Sequence, residues 1–314
     1  MAKKFAFVFP GQGSQQLGML ADLATLHPII IDVFNRASYV LGYDLWALSQ
    51  EGPAEKLNQT EYTQPALLAA GFAIWAIWQK LDAPKPQFLA GHSLGEYTAL
   101  VCAEALDFEK GIQLVANRGK YMQEAVPAGQ GGMAAIIGLD EIVVNNICKM
   151  ASRENELVSP ANFNSIGQIV IAGQVDAVDR ATVLAKEQGA TLAIKLPVSV
   201  PSHCALMRPA ADQLQEELKS ISFKTPNISV IHNVDVRSYQ DSTEIQNALI
   251  YQLYQPVRWV ETIQFFISHQ IPMVIESGPG KVLTGLNKRI SKTMQAVAIE
   301  QPDSFHAALS HIGD

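Results

Sequence analysis

The sequence predicts an α/β fold in which a large, hydrolase-like lobe with a parallel sheet carries a small inserted lobe. Short apolar runs are followed by glycine turns and helical segments, an alternation typical of a parallel sheet covered by helices on both faces. Between residues 131 and 199 the order changes to βαββαβ, the ferredoxin-like pattern. With 314 residues, 48% of them hydrophobic, the chain can form two cores. We therefore expect a large lobe at residues 1–128 and 200–314 and a ferredoxin-like small lobe at 129–199.

Two buried strands and several helices are predicted in the first part of the large lobe. The first strand is "KKFAFVFP", which stops at Pro10 and leads through the glycine turn of "GQGSQ" into a helix. Two or three helices follow, through "HPIIIDVFNRASYVL" and "PALLAAGFAIWAIWQKL". The second strand, "PQFLAG", precedes a helix that begins at Ser93 and another in "FEKGIQLVANRGKYMQEAV".

The small lobe and the return of the large lobe are predicted from the same signals. The small lobe contains, in order, the strand "GQGGMAAIIGL", the helix "DEIVVNNICKMASRE", the strands "ELVSPANFNS" and "GQIVIAG", the helix "VDAVDRATVLAKEQGA" and the strand "TLAIKLPVSV". The large lobe then resumes with a helix from about His203, the strand "NISVIHNV", two helices, the strand "IPMVIESGPG" and the helix "KVLTGLNKRI". The last glycine turn falls short of a phosphate-binding loop, so we expect no nucleotide triphosphate site there.

Composition and charge argue against several classes of function. The net charge is −7 and the charged residues are dispersed, without the basic run expected of a nucleic-acid-binding protein. The longest apolar stretch has the length of a buried helix, and the N-terminus lacks the long apolar region of a signal peptide. Three widely spaced cysteines form neither a metal-ligand set nor a disulfide framework. We expect a cytoplasmic protein with reduced thiols that binds no metal, no membrane and no nucleic acid.

The frame Gly91-His92-Ser93-Leu94-Gly95 lies between a predicted strand and a predicted helix. This is the pattern of a nucleophile elbow, a turn so tight that side chains at the two flanking glycine positions would clash. The turn would expose the Ser93 hydroxyl at the sheet edge and present the Leu94 N–H to a developing oxyanion. The alternative is a serine that merely caps a helix in a glycine turn. The strand before the frame and the helix after it favour the nucleophile.

A nucleophilic serine needs a base, and His203 is the candidate that the topology favours. It lies in "VSVPSHCALM", at the end of a strand and the start of a helix, where active-site loops gather. His92 is adjacent to Ser93, but neighbouring side chains diverge on an elbow, so it is expected to pack or hydrogen-bond beside the turn. His232, in "VIHNVD", follows a strand and is a weaker competitor.

No acid stands out that would complete a hydrolase triad between the serine and the histidine. Four aspartates occupy that interval, and each lies at a helix start or on a polar helix face, where capping or solvation explains it: Asp107, Asp140, Asp176 and Asp179. The His-Gly-Gly-Gly oxyanion motif of lipases is also missing from the sequence. The elbow is therefore typical of a hydrolase, whereas its surroundings are not.

Five motifs in order resemble those of one family, the malonyl-CoA:acyl carrier protein transacylases of bacterial fatty acid synthesis. They are "FVFPGQGSQ", "GHSLGEYTAL", "NRGKYMQEAVP", "PVSVPSHCALM" and "ESGPGKVLTGL". The resemblance covers essentially the whole chain, including the order of the lobes. Related acyltransferase domains of polyketide synthases share several of these motifs, but a chain of this length without an attached module favours the discrete enzyme.

The resemblance implies roles for the catalytic pair and for the group that orients it. Ser93 matches the nucleophile of the family, and His203 matches its general base. In this family the histidine is usually oriented by a backbone carbonyl rather than by an acid, which would explain the missing aspartate. Gln252, in "YQLYQPVRW", occupies the position that supplies this carbonyl.

The resemblance also implies an oxyanion hole and a site for the substrate carboxylate. Gln12 resembles the residue whose backbone N–H completes the oxyanion hole with that of Leu94. Arg118, in "NRGK", matches the arginine that pairs with the malonyl carboxylate, whereas its spacing alone would make it a solvated arginine on a polar helix face. A guanidinium can bind a carboxylate through two parallel hydrogen bonds, which a lysine cannot reproduce. Asn162 is expected to face the same cleft from the small lobe.

The implied activity is transfer of a malonyl group from malonyl-CoA to the phosphopantetheine thiol of acyl carrier protein, through a malonyl-serine ester. No bound cofactor or metal is needed, and we expect a monomer. Carrier proteins are acidic, so a local basic patch is expected, with four candidates: Lys195, Lys281, Lys288 and Arg289. Two other functions stay open, a serine hydrolase or thioesterase in which water attacks the ester, and a non-enzymatic module that docks carrier protein.

Overall fold

The computed structural model describes residues 3–198 and 200–313, which form nine strands and fourteen α-helices. The strands are β1 Ala6–Phe9, β2 Phe88–Gly91, β3 Gly131–Ile137, β4 Val158–Ser165, β5 Gln168–Gln174, β6 Leu192–Lys195, β7 Ser229–Ile231, β8 Met273–Glu276 and β9 Gln295–Ala298. The helices are α1 Ala21–Leu26, α2 Ile29–Leu41, α3 Leu45–Glu51, α4 Ala54–Leu57, α5 Thr60–Lys80, α6 Leu94–Cys102, α7 Phe108–Glu124, α8 Glu141–Ala151, α9 Val175–Glu187, α10 Arg208–Leu218, α11 Ser242–Tyr254, α12 Trp259–Ser268, α13 Val282–Ile290 and α14 Pro302–Gly313.

The larger sheet is parallel throughout and has the strand order β7-β2-β1-β8-β9. All four residues of β1 are buried, because helices cover both faces of the central strand. Their side chains enter two different cores, with Phe7 and Phe9 on one face of the sheet and Ala6 and Val8 on the other. The strands β2 and β8 flank β1, so the three carboxyl ends meet at one edge, where ligands bind in open parallel sheets.

The smaller sheet is antiparallel, with the order β4-β5-β3-β6. Numbered within this segment, the strands stand in the order 2-3-1-4, and with two crossing helices they give the ferredoxin-like arrangement. The helices α8 and α9 bury one face around Ile136, Ile171 and Ala181. On the other face, Met133 and Val170 pack with Cys204 of the large lobe.

Helix α5 is the central helix of the large lobe, and most of its 21 residues are buried. A helix that is apolar on every side belongs in a core rather than at a surface. The helix begins at Thr60, five residues before the apolar stretch that predicted it, and Pro65, the first residue of that stretch, lies inside the helix. None of the described helices is both long and apolar enough to cross a membrane.

The predicted fold class is confirmed, with differences in detail. The last strand of the small lobe is shorter than its apolar run, because the chain leaves the sheet after Lys195. The helix expected from about His203 begins at Arg208, after a short 3₁₀ turn. The elements β9 and α14 were not predicted. Residue 199, the predicted end of the small lobe, lies outside the described residues, and the lobe boundaries stay a prediction.

Candidate active site

Ser93 lies in the tight turn between β2 and α6, at the carboxyl edge of the parallel sheet. Its backbone has φ 51° and ψ −108°, a conformation that costs a residue with a side chain on the order of 1–3 kcal/mol and is therefore found mainly at functional sites. Ser93 occupies the N-cap position of α6, yet its side chain makes no capping hydrogen bond. Its hydroxyl is instead directed to a histidine and an arginine, as described below.

The two glycines of the frame are required by close backbone contacts. A Cβ atom on Gly91 would lie 1.8 Å from the carbonyl carbon of Gly95, and one on Gly95 would lie 2.0 Å from the carbonyl oxygen of Phe9. Both distances are far below any real contact. Any side chain at either position would therefore push α6 away from the sheet and move Ser93.

His203 is brought to Ser93 from 110 residues further along the chain, and its Nε2 lies 2.8 Å from Ser93 Oγ. Its Nδ1 lies 2.7 Å from the backbone carbonyl oxygen of Gln252, which accepts a hydrogen bond. This contact places the ring proton on Nδ1 and leaves the Nε2 lone pair to accept the serine proton. The pair is thus arranged for deprotonation of Ser93 without an acid.

Burial keeps His203 neutral. The side chain is almost fully buried, and burial, followed by the nearby Arg118 charge, lowers the pKa of His203 from 6.5 to about 3. The hydrogen bond to the Gln252 carbonyl opposes this shift without reversing it. The imidazole is therefore in its basic form over the whole physiological range.

The competing histidines lie in other contacts. His92 Nε2 lies 2.8 Å from Asn164 Oδ1, and its ring packs near Trp259. His232 Nδ1 lies 2.7 Å from the Glu96 carboxylate. No contact between Ser93 Oγ and either ring is found among residues 3–198 and 200–313, so His203 alone of the three meets the serine.

Arg118 is buried beside Ser93 and is only 1% exposed. Its Nη2 donates to Ser93 Oγ at 3.2 Å and to Gln252 Oε1 at 2.9 Å, and its Nη1 donates to Gln64 Oε1 at 2.7 Å. Its guanidinium also lies over the ring of Tyr97. The solvated position that its spacing suggested is therefore wrong, because tertiary packing buries this face of α7.

Arg118 has no carboxylate at ion-pair distance anywhere in the described part of the chain. Burial lowers the pKa of its guanidinium, while Tyr97 and Glu96 raise it. A buried cation held only by neutral acceptors carries an unfavourable desolvation cost, which an anionic ligand would offset. The site is therefore suited to a negatively charged group next to Ser93.

Gln12 and Leu94 stand at the same cleft, from the turns that follow β1 and β2. Within residues 3–198 and 200–313 neither backbone N–H group has a hydrogen-bond acceptor. Leu94 is the first residue of α6, so its N–H points out of the helix terminus, where partial positive charge favours an anion. Both donors are thus available for an oxyanion.

A cavity of about 330 Å³ connects these groups. Gln12, Ser93, Leu94, Arg118 and His203 line it from the large lobe, and the small lobe contributes Asn162 and Asn164 among others. A larger cavity of about 690 Å³ lies between α13, β9 and α14; Lys288 lines it, and none of the predicted catalytic, oxyanion-hole or carboxylate-binding residues does. Of these two cavities, the one at the elbow is lined by a serine hydroxyl, a neutral imidazole and a buried guanidinium.

The aspartates between Ser93 and His203 have structural contacts. Asp107 and Asp140 cap α7 and α8, and Asp179 forms an ion pair with Lys195. Asp176 lies in the first turn of α9. No cluster of potential metal ligands is found in the described part of the chain.

Sequence reasoning missed three buried polar residues around the elbow. Gln64 accepts from Arg118. The Asn233 side chain binds the backbone of the turn at Gly91 and Ser93, and the Glu96 carboxylate accepts from the Asn233 backbone N–H. The signal for Glu96 was present in the sequence, since it is the only charged residue of the otherwise apolar helix "LGEYTALVC". Gln64 and Asn233 carried no local signal, because their partners are distant in the chain.

Comparison with known proteins gives consistent results. Residues 6–300 match the family described as "Acyl transferase domain". A Haemophilus influenzae protein named malonyl CoA-acyl carrier protein transacylase is 58% identical over 306 residues, covering 97% of this chain and 98% of that protein.

Solved structures agree over the same length. The Coxiella burnetii malonyl CoA-acyl carrier protein transacylase has a TM-score of 0.98 at 52% identity and covers 100% of this chain and 99% of that one. A structure of a type II polyketide synthase acyl-carrier protein in complex with its malonyl-transacylase has a TM-score of 0.97 at 54% identity. The match covers 98% of this chain and 100% of that one.

Proposed function

This chain belongs to the acyl transferase family, and we propose that it transfers a malonyl group from malonyl-CoA to the phosphopantetheine thiol of acyl carrier protein in fatty acid synthesis. The observation that carries the proposal is the contact of one serine hydroxyl with both a neutral histidine and a buried arginine. The histidine supplies the chemistry of acyl transfer, and the arginine supplies a site for an acyl group with a free carboxylate. The named relatives and the complex with an acyl-carrier protein support the two substrates.

The first half of the reaction forms a malonyl-Ser93 ester. The substrate carboxylate binds Arg118, which places the thioester carbonyl at Ser93. His203 Nε2 accepts the Ser93 proton as Oγ attacks the carbonyl carbon, and the oxyanion is stabilised by the N–H groups of Gln12 and Leu94. When the intermediate collapses, the C–S bond breaks and CoA leaves as a thiol with the proton from His203.

The second half reverses these steps with a different thiol. His203 accepts the proton of the phosphopantetheine thiol, the sulfur attacks the ester carbonyl, and Ser93 leaves with its proton restored. The Gln252 carbonyl stabilises the imidazolium that forms in each half-reaction. One thioester is consumed and one is formed, so the reaction is readily reversible and uses no bound cofactor or metal.

The same proposal places the enzyme in the cytoplasm as a monomer that meets carrier protein through a basic surface. Lys195, Lys281, Lys288 and Arg289 are exposed, as such a surface requires. Lys195 is already paired with Asp179, and Arg289 donates to Gln168. We therefore assign the larger share of carrier attraction to Lys281 and Lys288.

The decisive experiment is intact-mass measurement after mixing the protein with malonyl-CoA. The proposal expects one malonyl group per chain, located on Ser93, that is discharged by holo acyl carrier protein and persists in buffer. Rapid loss of the ester to water as malonic acid would indicate a thioesterase. No adduct, with carrier protein bound, would indicate a docking module.

A further inference from the structure

The fully buried carboxylate of Glu96 lies behind the elbow, outside the cleft, in contact with three groups. Glu96 Oε2 accepts hydrogen bonds from the Asn233 backbone N–H at 2.9 Å and from Gln252 Nε2 at 2.9 Å. Glu96 Oε1 lies 2.7 Å from His232 Nδ1. Glu96, His232, Asn233 and Gln252 are all 0% exposed. Burying a carboxylate costs free energy unless hydrogen bonds compensate it, and here each oxygen is compensated.

Gln252 connects this carboxylate to Arg118. Its Nε2 donates to Glu96 Oε2, while its Oε1 accepts from Arg118 Nη2 at 2.9 Å. A carboxylate can only accept and a guanidinium can only donate, so the two partners fix which end of the amide faces which side. If the amide were flipped, its NH₂ group would oppose the guanidinium and its oxygen would oppose the carboxylate.

The same groups hold the backbone of the elbow. Gln252 Nε2 also donates to the Ser93 carbonyl oxygen at 3.0 Å. Asn233 accepts from the Ser93 N–H at 2.8 Å and donates to the Gly91 carbonyl oxygen at 2.7 Å. The loss of Glu96 would therefore affect the elbow, which every acyl donor uses, and the Arg118 position, which only a carboxylate-bearing donor uses.

We propose that Glu96 is a positioning residue for substrate selection: through the Gln252 amide it holds the Arg118 guanidinium where a substrate carboxylate can meet it beside Ser93. This inference rests on the proposed function, and it gives a role to the Gln252 side chain that is separate from that of its backbone carbonyl. A role limited to stability would affect malonyl-CoA and acetyl-CoA equally. The positioning role affects malonyl-CoA more, because acetyl-CoA has no carboxylate for Arg118.

The test compares kcat/KM for malonyl-CoA and acetyl-CoA in the full-length protein with holo acyl carrier protein. In Glu96→Met, which removes both acceptor oxygens at similar length, the malonyl-to-acetyl ratio is expected to fall on the order of tenfold, the scale for losing a hydrogen bond to a charged group. In Glu96→Gln the ratio is expected to stay within about threefold of wild type. The side-chain oxygen of the new glutamine can still accept from the Asn233 N–H and from Gln252 Nε2. Its NH₂ group can donate to His232 Nδ1 if the proton of that ring is on Nε2.

The matched control is Glu276→Gln. Glu276 is 1% exposed and also binds backbone N–H groups near a sheet edge, at Leu283 and Thr284. It makes no contact with Gln252 or Arg118 in the described residues. This variant is expected to lose stability with an unchanged malonyl-to-acetyl ratio.

The inference would be overturned if Glu96→Met lowered kcat/KM for malonyl-CoA and for acetyl-CoA by the same factor. It would also be overturned if the Glu276→Gln control changed the malonyl-to-acetyl ratio as much as Glu96→Met does. If Glu96→Met does not fold, Gln252→Leu decides the question. Leucine keeps the backbone carbonyl that faces His203 and removes only the amide, so a lowered ratio supports the positioning role and a wild-type ratio overturns it. Failure of the proposed function would appear separately, as the lack of a malonyl adduct in the wild-type protein.

Discussion

Two strand–turn–helix units stand on either side of β1 and use the same topology for different purposes. In one unit β2 leads through a glycine turn to α6, and in the other β8 leads through a glycine turn to α13; both helices have nine residues. At α13 the Glu276 carboxylate accepts from the Leu283 and Thr284 N–H groups. At α6 the Leu94 N–H has no acceptor in the described residues, and the preceding Ser93 is strained.

The difference teaches that the sheet edge alone does not make a site. A helix N-terminus can stabilise an anion only while its N–H groups are free, and a capping carboxylate consumes them. At α13 the Glu276 carboxylate occupies two of these N–H groups, and the expectation that "GPGKVL" forms no nucleotide triphosphate site stays a prediction. The elbow keeps its donors free and places its own carboxylate, Glu96, behind the turn.

The largest expected effect comes from removing the nucleophile. Ser93→Ala should abolish both transfer and the malonyl adduct while the fold persists, because alanine removes only Oγ and leaves the contacts of the turn backbone. Burial raises the pKa of the nearby Cys204 thiol to about 12, so this cysteine cannot substitute for the serine at neutral pH. The measurement is intact mass with circular dichroism as the control for folding. An adduct on the alanine variant would show that another residue carries the acyl group.

The elbow has a buried cation, Arg118, in contact with Ser93 Oγ. Removal of Arg118 should have the next largest effect. Arg118→Ala leaves the malonyl carboxylate without its partner in a partly dry site, which costs roughly two to four orders of magnitude in kcat/KM for malonyl-CoA. Acetyl-CoA should lose nothing or gain. Arg118→Lys should recover part of the preference, because an ammonium cannot form two parallel hydrogen bonds. The ratio of the two kcat/KM values is the readout, and an unchanged ratio would assign the carboxylate to another residue.

The two histidines that line the cleft, His92 and His203, provide a sharper comparison within the site. His203→Ala should slow acylation roughly a hundredfold or more, the scale of losing a positioned base. His92→Ala should act through local packing at Asn164 and Trp259 and leave the chemical step less affected. Single-turnover acylation, measured on variants with matched thermal stability, separates the two. A larger chemical defect in His92→Ala would reverse the assignment.

The local part of this site could be predicted from the sequence, and the assembled part could not. The glycines around Ser93 mark the elbow as a five-residue pattern, and the close contact that requires Gly91 is with Gly95 of the same turn, although the one that requires Gly95 is with Phe9 of β1. Arg118 was misplaced by spacing alone, since its burial depends on Gln64 and Gln252 from two other helices. Its proposed role as the carboxylate-binding residue came instead from the resemblance to a family.

The same limit applies to the fold. Regular alternation of apolar runs and glycine turns predicted both sheets. The strand β9 was missed because it is a four-residue edge strand with exposed and half-buried positions, which leaves little apolar signal. Its place in the sheet depends on pairing with β8.

The pH dependence of stability should report the buried base. The pKa of His203 is about 3 in the folded protein, against 6.5 as its ordinary value, so below pH 6.5 the unfolded chain binds a proton that the folded protein does not. The free energy of unfolding should therefore fall as pH drops from 6.5 toward 3, by at most about 1.4 kcal/mol per pH unit from this group. Urea unfolding at pH 7.5 and 5.0 should show that the free energy of unfolding falls less between these pH values in His203→Gln than in the wild-type protein. An equal loss would mean that His203 is not the buried neutral group.

The smallest expected effect comes from the unit that lacks a nucleophile, and it tests the comparison from the other side. Glu276→Gln keeps one acceptor oxygen for the α13 N-terminus and turns an NH₂ group toward the second backbone donor. One buried N–H is then left without a partner, at a cost of about 1–2 kcal/mol. Urea unfolding should show this loss, while the single-turnover rate of acylation at Ser93 changes less than about twofold. A large fall in that rate would mean that the two turns act together in catalysis. A loss of stability without a change in that rate would support the comparison: the turn after β2 leaves the Leu94 N–H of α6 without an acceptor in the described residues, whereas after β8 two N–H groups of α13 are bound by Glu276.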